Sequence, residues 1–120
     1  MNNPGPNAHP TAYLVINSQI FHLSKDVTRI GRKLENDLVI QDPLISRSHA
    51  EIHKVNDDYT LIDMQSTSGT LINNQKIGAH KLESGDMFYL ANIPILFIKN
   101  SPSLQTGLNM ATGTLRPEKK

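Results

Sequence analysis

The sequence predicts an all-β sandwich or barrel, and three observations carry that prediction. Apolar residues come in runs of strand length, many of them β-branched or aromatic. Turn-forming residues separate these runs at the spacing of short paired strands. No stretch places apolar residues at a 3.6-residue period between helix caps, so long helices are not expected. A chain of 120 residues is about one domain and is long enough to bury a proper core.

The runs follow in order. Tyr13-Leu14-Val15-Ile16 and Ile20-Phe21-His22-Leu23 flank the turn residues Asn17-Ser18. Thr28–Gly31, Leu38-Val39-Ile40 and Ala50–Lys54 come next, and Asp57-Asp58 marks the turn into Tyr59–Met64. Leu71-Ile72 leads into a tight hairpin at Asn73-Asn74, where Asn74 is expected to take the left-handed position that asparagine tolerates best after glycine. Ser84-Gly85-Asp86 precedes Met87–Ala91, and Asn92 separates that run from Ile93–Ile98. The flanks differ from this core. Residues 1–11 are polar and rich in Pro, Asn and Gly, an expected loose arm, and residues 101–120 have no periodic apolar pattern, an expected flexible tail. The folded domain is therefore expected over residues 12–100.

Charge narrows the function classes. The chain carries +1, but residues 12–100 hold nine bases and ten acids, so the surplus lies in the tail, with Arg116, Lys119 and Lys120 against Glu118. A balanced core gives no basic face for nucleic acid or an anionic membrane, and neither is expected as a partner. Cysteine is absent, which removes disulfides, thiolate nucleophiles and sulfur-ligated zinc. The N-terminus has no secretory pattern, and the longest apolar run, Ile93–Ile98, is far below the ~20 residues that span a bilayer. A cytoplasmic, soluble monomer without cofactor is expected.

The chemistry-bearing residues lie between the runs. Arg32 follows Gly31, where glycine is expected to let the backbone turn before a long side chain. Ser46-Arg47-Ser48-His49 precedes the Ala50–Lys54 run, and Gln65-Ser66-Thr67-Ser68-Gly69-Thr70 joins two others. Hydroxyls, free N–H groups and a guanidinium are the donors that hold a phosphate dianion. By composition alone, such loops are usually just surface. Two other chemistries fit these residues less well. His49 as a base with Ser46 or Ser48 and Asp63 lacks the G-x-S-x-G elbow of serine hydrolases. His49 and His53, four residues apart on a strand, stand roughly 13 Å apart, too far to share one metal ion.

Order and spacing sharpen the phosphate reading. Ile30-Gly31-Arg32, Asn36-Asp37-Leu38, Ile45-Ser46-Arg47-Ser48-His49-Ala50, Asp63, Ser66-Thr67-Ser68-Gly69-Thr70 and Ile72-Asn73 closely resemble the forkhead-associated (FHA) domain pattern. That pattern reads roughly G-R, S-R-x-H, then S-x-N-G-T-x-V-N, and the match runs from about Tyr13 to Lys99. The resemblance implies a sandwich of about eleven strands whose loops at one end bind a phosphothreonine segment of a protein partner. It implies that Arg32 pairs with the phosphate, that the Ser46 hydroxyl donates to it, and that Arg47 contacts phosphate or peptide. Thr67 matches the border of the threonine-methyl pocket, a preference worth on the order of 1 kcal/mol. Ser68 departs from the family asparagine; it offers no amide carbonyl, so one bond to the partner backbone is lost. Gly31, His49, Gly69, Thr70 and Asn73 match positions that shape the site.

The reading is a non-enzymatic phosphopeptide-binding adaptor, with a phosphate-independent scaffold that uses a sheet face as the alternative. The tail threonines Thr106, Thr112 and Thr114 are candidate phosphorylation sites for self-binding. As a flexible coil the segment to Thr114 reaches roughly 20 Å.

Overall fold

The computed structural model describes residues 11–100. The expected arm and tail, with Thr106, Thr112 and Thr114, lie outside the described residues, except that Thr11 already opens the first strand. Eleven strands form there: β1 (Thr11–Ile16), β2 (Gln19–His22), β3 (Val27–Gly31), β4 (Leu38–Val39), β5 (Ala50–Val55), β6 (Asp58–Asp63), β7 (Thr70–Ile72), β8 (Gln75–Lys76), β9 (Ala79–Lys81), β10 (Met87–Leu90) and β11 (Ile93–Asn100). They make a six-stranded sheet, β2-β1-β11-β10-β7-β8, and a five-stranded sheet, β4-β3-β5-β6-β9. Pairing is antiparallel except between β3 and β4, which run parallel.

Alternation decides what lies between the sheets. Ala12, Leu14 and Ile16 of β1 are buried, as are Phe88 and Leu90 of β10 and Ile95 and Phe97 of β11. They pack with Ile30, Ile52, Tyr59 and Leu61 of the other sheet, and the Tyr59 and Phe97 rings meet 5.5 Å apart, tilted by 55°. Burying these side chains, about 1.5–3 kcal/mol for each Leu, Ile or Phe, fixes the registers, because a one-residue slip would turn each strand's apolar set outward.

The tight turns follow local chemistry. Asn17 and Ser18 join β1 to β2 with φ of 52° and 64°, and Asn73 and Asn74 join β7 to β8 with φ of 54° and 64°. Two successive positive φ values are the geometry whose twist matches a two-residue hairpin. Both asparagines of the second hairpin are left-handed, not Asn74 alone. Two other turns shift by a residue from their expected positions. Asn56 (φ 58°), not Asp58, turns β5 into β6, because Asp58 already pairs with Val55; Ala91 (φ 56°) takes the positive φ beside Asn92. Strand β9 has no apolar run to announce it, since its partners on β6 supply the pairing.

Candidate functional site: the cleft of the β3–β4, β4–β5 and β6–β7 loops

Three long connections meet at one edge of the five-stranded sheet. Backbone bonds join the first two: Arg32 N–H donates to Ser46 O at 3.0 Å and Lys33 N–H to Arg47 O at 3.2 Å. This contact, rather than a turn, explains Gly31. Its φ is not positive, but a Cβ there would lie 2.2 Å from Arg47 O and 2.8 Å from Asn36 Nδ2. Glycine is required so that one backbone can cross another. The Asn36 amide fills the same corner, donating to Lys33 O at 2.9 Å and Arg47 O at 2.8 Å. Asp37 secures the far end of the first loop. The Lys25 ammonium, then the Arg29 N–H, hold its carboxyl below the usual carboxylate range.

His49 ties the second loop to the third. It is fully buried; its Nδ1 accepts the Ser46 N–H at 3.1 Å and its Nε2 lies 2.9 Å from Gly69 O. An acceptor at Nδ1 and a carbonyl at Nε2 define the neutral tautomer with the proton on Nε2. Neither nitrogen is left to take a proton from Ser46 or Ser48, which removes the hydrolase constellation. His53 instead lies at the surface with its Nε2 2.8 Å from Glu51 Oε1.

Asp63 organises the third loop. Its Oδ1 accepts the hydroxyls of Ser66 at 2.6 Å and Thr70 at 2.7 Å, its Oδ2 accepts the Ser66 N–H at 3.1 Å, and Ser66 Oγ in turn accepts the Gly69 N–H at 3.0 Å. Burial pushes this carboxyl up, but the donors from Ser66 and Thr70 outweigh it and hold Asp63 below its ordinary 3.8. Gly69 (φ 90°) then turns the chain into β7.

Above this layer lies an open cleft of about 520 Å³ lined by Arg32, Lys33, Ser46, Arg47, Ser48, Gln65 and Thr67. Among the described residues three cations and no carboxylate line it, in a core whose overall balance is slightly acidic. Glu51 is instead held by Arg29 and His53, and Glu35 lines a neighbouring hollow. Arg32 Nε donates to Ile45 O at 2.9 Å, which fixes the plane of the guanidinium and leaves its terminal nitrogens without a partner among the described residues. Ser46 Oγ accepts the Thr67 N–H at 3.0 Å, so its hydroxyl proton remains free to donate. Fixed donors around a carboxylate-free cleft are chemically suited to an oxyanion with several acceptor oxygens.

Of the residues singled out from sequence, Arg32, Ser46, Arg47 and Thr67 line the cleft. Gly31, His49, Gly69 and Thr70 lie in the layer that supports it. Ser68 is half-buried and does not line it, and Asn73 sits in the β7–β8 turn. Lys33, Ser48 and Gln65 are cleft residues that motif reading missed, and Asn36, Asp63 and Ser66 are supporting residues to which it gave no role. The Asp63–Ser66 spacing of three residues, an Asx-turn spacing, was the available signal for the last pair.

The decisive match is to the FHA domain family, over residues 28–91. The chain belongs to that family. Among curated relatives, an oxoglutarate dehydrogenase inhibitor of Corynebacterium jeikeium is 30% identical over 81 residues, 68% of this chain and 56% of the relative. The chain thus spans little more than half the length of that protein. Among solved structures, Mycobacterium tuberculosis EmbR in complex with a low-affinity phosphopeptide superimposes with a TM-score of 0.73 at 29% identity, covering 76% of this chain and 25% of EmbR. The MEK1 FHA domain in complex with a HOP1 phosphothreonine peptide gives 0.66 at 25% identity, covering 75% of this chain and 97% of the MEK1 domain.

Proposed function

We propose that this FHA domain is a non-enzymatic adaptor that binds phosphothreonine segments of partner proteins in the cleft between its three long loops. The observation that carries this reading is the convergence of the Arg32 guanidinium, whose terminal nitrogens have no partner among the described residues, and the Ser46 hydroxyl on a cleft that no described carboxylate lines. The phosphopeptide complexes of EmbR and the MEK1 FHA domain support it by analogy.

In this reading Arg32 makes a charge-assisted, bidentate contact to two phosphate oxygens, Ser46 donates to the third, and Arg47 and Lys33 add charge at the rim. Thr67 borders the methyl group of the phosphothreonine, and Ser68, beside the cleft and not in its lining, meets the partner backbone beyond the phosphate with one bond fewer than an asparagine would make. The local character of the charge makes recognition a matter of fitted geometry more than of a long-range field. The phosphothreonine belongs to a partner protein or to the chain's own tail, at Thr106, Thr112 or Thr114.

Calorimetric titration with a phosphothreonine peptide library tests the reading. The phosphorylated peptide is expected to bind and its dephosphorylated form to fail, with Arg32→Ala weakening binding by about 10- to 100-fold, the loss of a charge-assisted pair. Equal affinity for both forms of the peptide, or full affinity in the Arg32 variant, overturns it.

A further inference from the structure

The cleft shares a wall with a second depression. Lys33 and Ser48 also line a hollow of about 210 Å³ that opens beside it, over the outer face of the five-stranded sheet. Its other walls differ from those of the cleft. Met64, 39% exposed, and Ala50 make part of it apolar, and Arg29, Glu35 and Glu51 bring charge. Two of these charges satisfy each other. Arg29 and Glu51 are partners in the β3–β5 register, Nε 3.7 Å from Oε2, and the other carboxylate oxygen of Glu51 lies 2.8 Å from His53 Nε2. Glu35 is exposed and has no ion pair among the described residues. Lys33 is common to both depressions, so a dianion in the cleft draws on its charge. What then lines the hollow is Arg29 against Glu35 and Glu51, a negative surplus.

We infer that this hollow is the subsite for a lysine or arginine side chain close to the phosphothreonine of the bound segment, an inference that rests on the phosphopeptide reading of the cleft. Continuity places the occupant. A segment with its phosphate against Arg32 and Ser46 lies along the shared wall of Lys33 and Ser48. An extended chain advances only about 3.3 Å per residue, so a side chain near the phosphothreonine is within reach of the hollow. Chemistry selects its type. Lysine and arginine have an aliphatic stem to lay on Met64 and a cation to set near Glu35, the division these side chains favour where apolar surface borders water. An acidic side chain would meet two carboxylates, and a purely apolar one would desolvate Glu35 without supplying an opposite charge. A positive cleft beside a negative hollow therefore complements a segment that carries phosphate and base together, and discriminates against one whose phosphate is flanked by acids.

Fluorescence-anisotropy titration of the full chain with alanine heptapeptides tests the inference. Phosphothreonine stands at the centre of each, and a single lysine is moved through every other position. The quantity read is the affinity of each lysine peptide relative to the all-alanine phosphopeptide. Lysine or arginine is expected to raise affinity about 2- to 5-fold at the position that meets the hollow, the worth of an exposed ion pair. Glu35→Gln, at an exposed position, is expected to remove that gain. Asp57→Asn, exposed on the β5–β6 turn at the opposite end of the sandwich, is expected to preserve it. Phosphate-dependent binding with no gain from lysine at any position, or a gain that survives Glu35→Gln, overturns the inference while the cleft reading stands. An equal gain from norleucine, which has lysine's stem without its charge, also overturns it, since the hollow would then be an apolar pocket. Binding that is absent or indifferent to phosphorylation overturns the cleft reading and this inference together.

Discussion

Two kinds of connection link the strands, and they are held in different ways. The two-residue turns at Asn17-Ser18 and Asn73-Asn74 take their shape from their own backbone, with paired positive φ values between directly bonded strands. The three loops of the cleft take theirs from residues far away in sequence. Thr67 is fixed by Ser46, 21 residues earlier, and Gly69 by His49, 20 residues earlier. Local turns can be altered one at a time, whereas the loops share supports and should fail together. The lesson is that a binding surface made of irregular chain needs a buried polar layer beneath it, since unpaired backbone groups there would each cost about 1–3 kcal/mol.

The sharpest way to break the difference is Gly31→Ala. A Cβ 2.2 Å from Arg47 O forces the first two loops apart. The expected result is a loss of at least ~3 kcal/mol in denaturant unfolding and, in whatever protein stays folded, loss of phosphopeptide binding. Retained stability with a methyl at this position would show that the crossing is loose.

Next is His49→Leu, which keeps the volume but leaves the Ser46 N–H and Gly69 O unpartnered. About 2–4 kcal/mol of stability should be lost, and phosphopeptide affinity should fall although His49 touches no ligand. Unchanged affinity would mean that the two loops hold their positions without it.

Asp63→Ala removes three bonds from one loop and should cost about 2–3 kcal/mol at neutral pH. Its pH dependence has a definite sign. A carboxyl held below 3.8 in the folded chain stabilises it fully above that value, and the contribution is lost as pH falls toward the lowered one. Acid unfolding of the wild type below about pH 4 should therefore be steeper than that of Asp63→Ala. Parallel acid transitions would overturn the assignment.

The smallest effect is expected at the local turn. Asn74→Ala keeps a positive φ without asparagine's tolerance of it and should lower stability by about 1 kcal/mol. Phosphopeptide affinity should not change, and a parallel loss of binding would show that the hairpin and cleft are one unit. Asn74→Gly should restore or exceed wild-type stability.

The same division describes what could be read from the chain. The strand runs, the all-β class and the Asn73-Asn74 hairpin were legible because alternation and left-handed turns are local properties of consecutive residues. Arg32, Ser46, Arg47 and Thr67 were legible as a group through the spacing of motifs, and the structure brings them to one cleft. Strand β9 was not legible, because its pairing is imposed by β6 and not by its own apolar pattern. Nor was the physical role of Gly31, which is set by a carbonyl 16 positions away in the chain.

What the sequence by itself determined is the period of the strands, the location of the turns and the supply of phosphate-type donors. Only the tertiary structure decided which donors stay free. Arg32 Nε donates to Ile45 O while, among the described residues, its terminal nitrogens have no partner, and Ser46 accepts from Thr67 so that its proton can still be donated. It also decided that Arg29 and Glu51 meet as an ion pair on one outer face while Val15, Leu96 and Met87 share the other, because register across strands distant in sequence sets which side chains share a face.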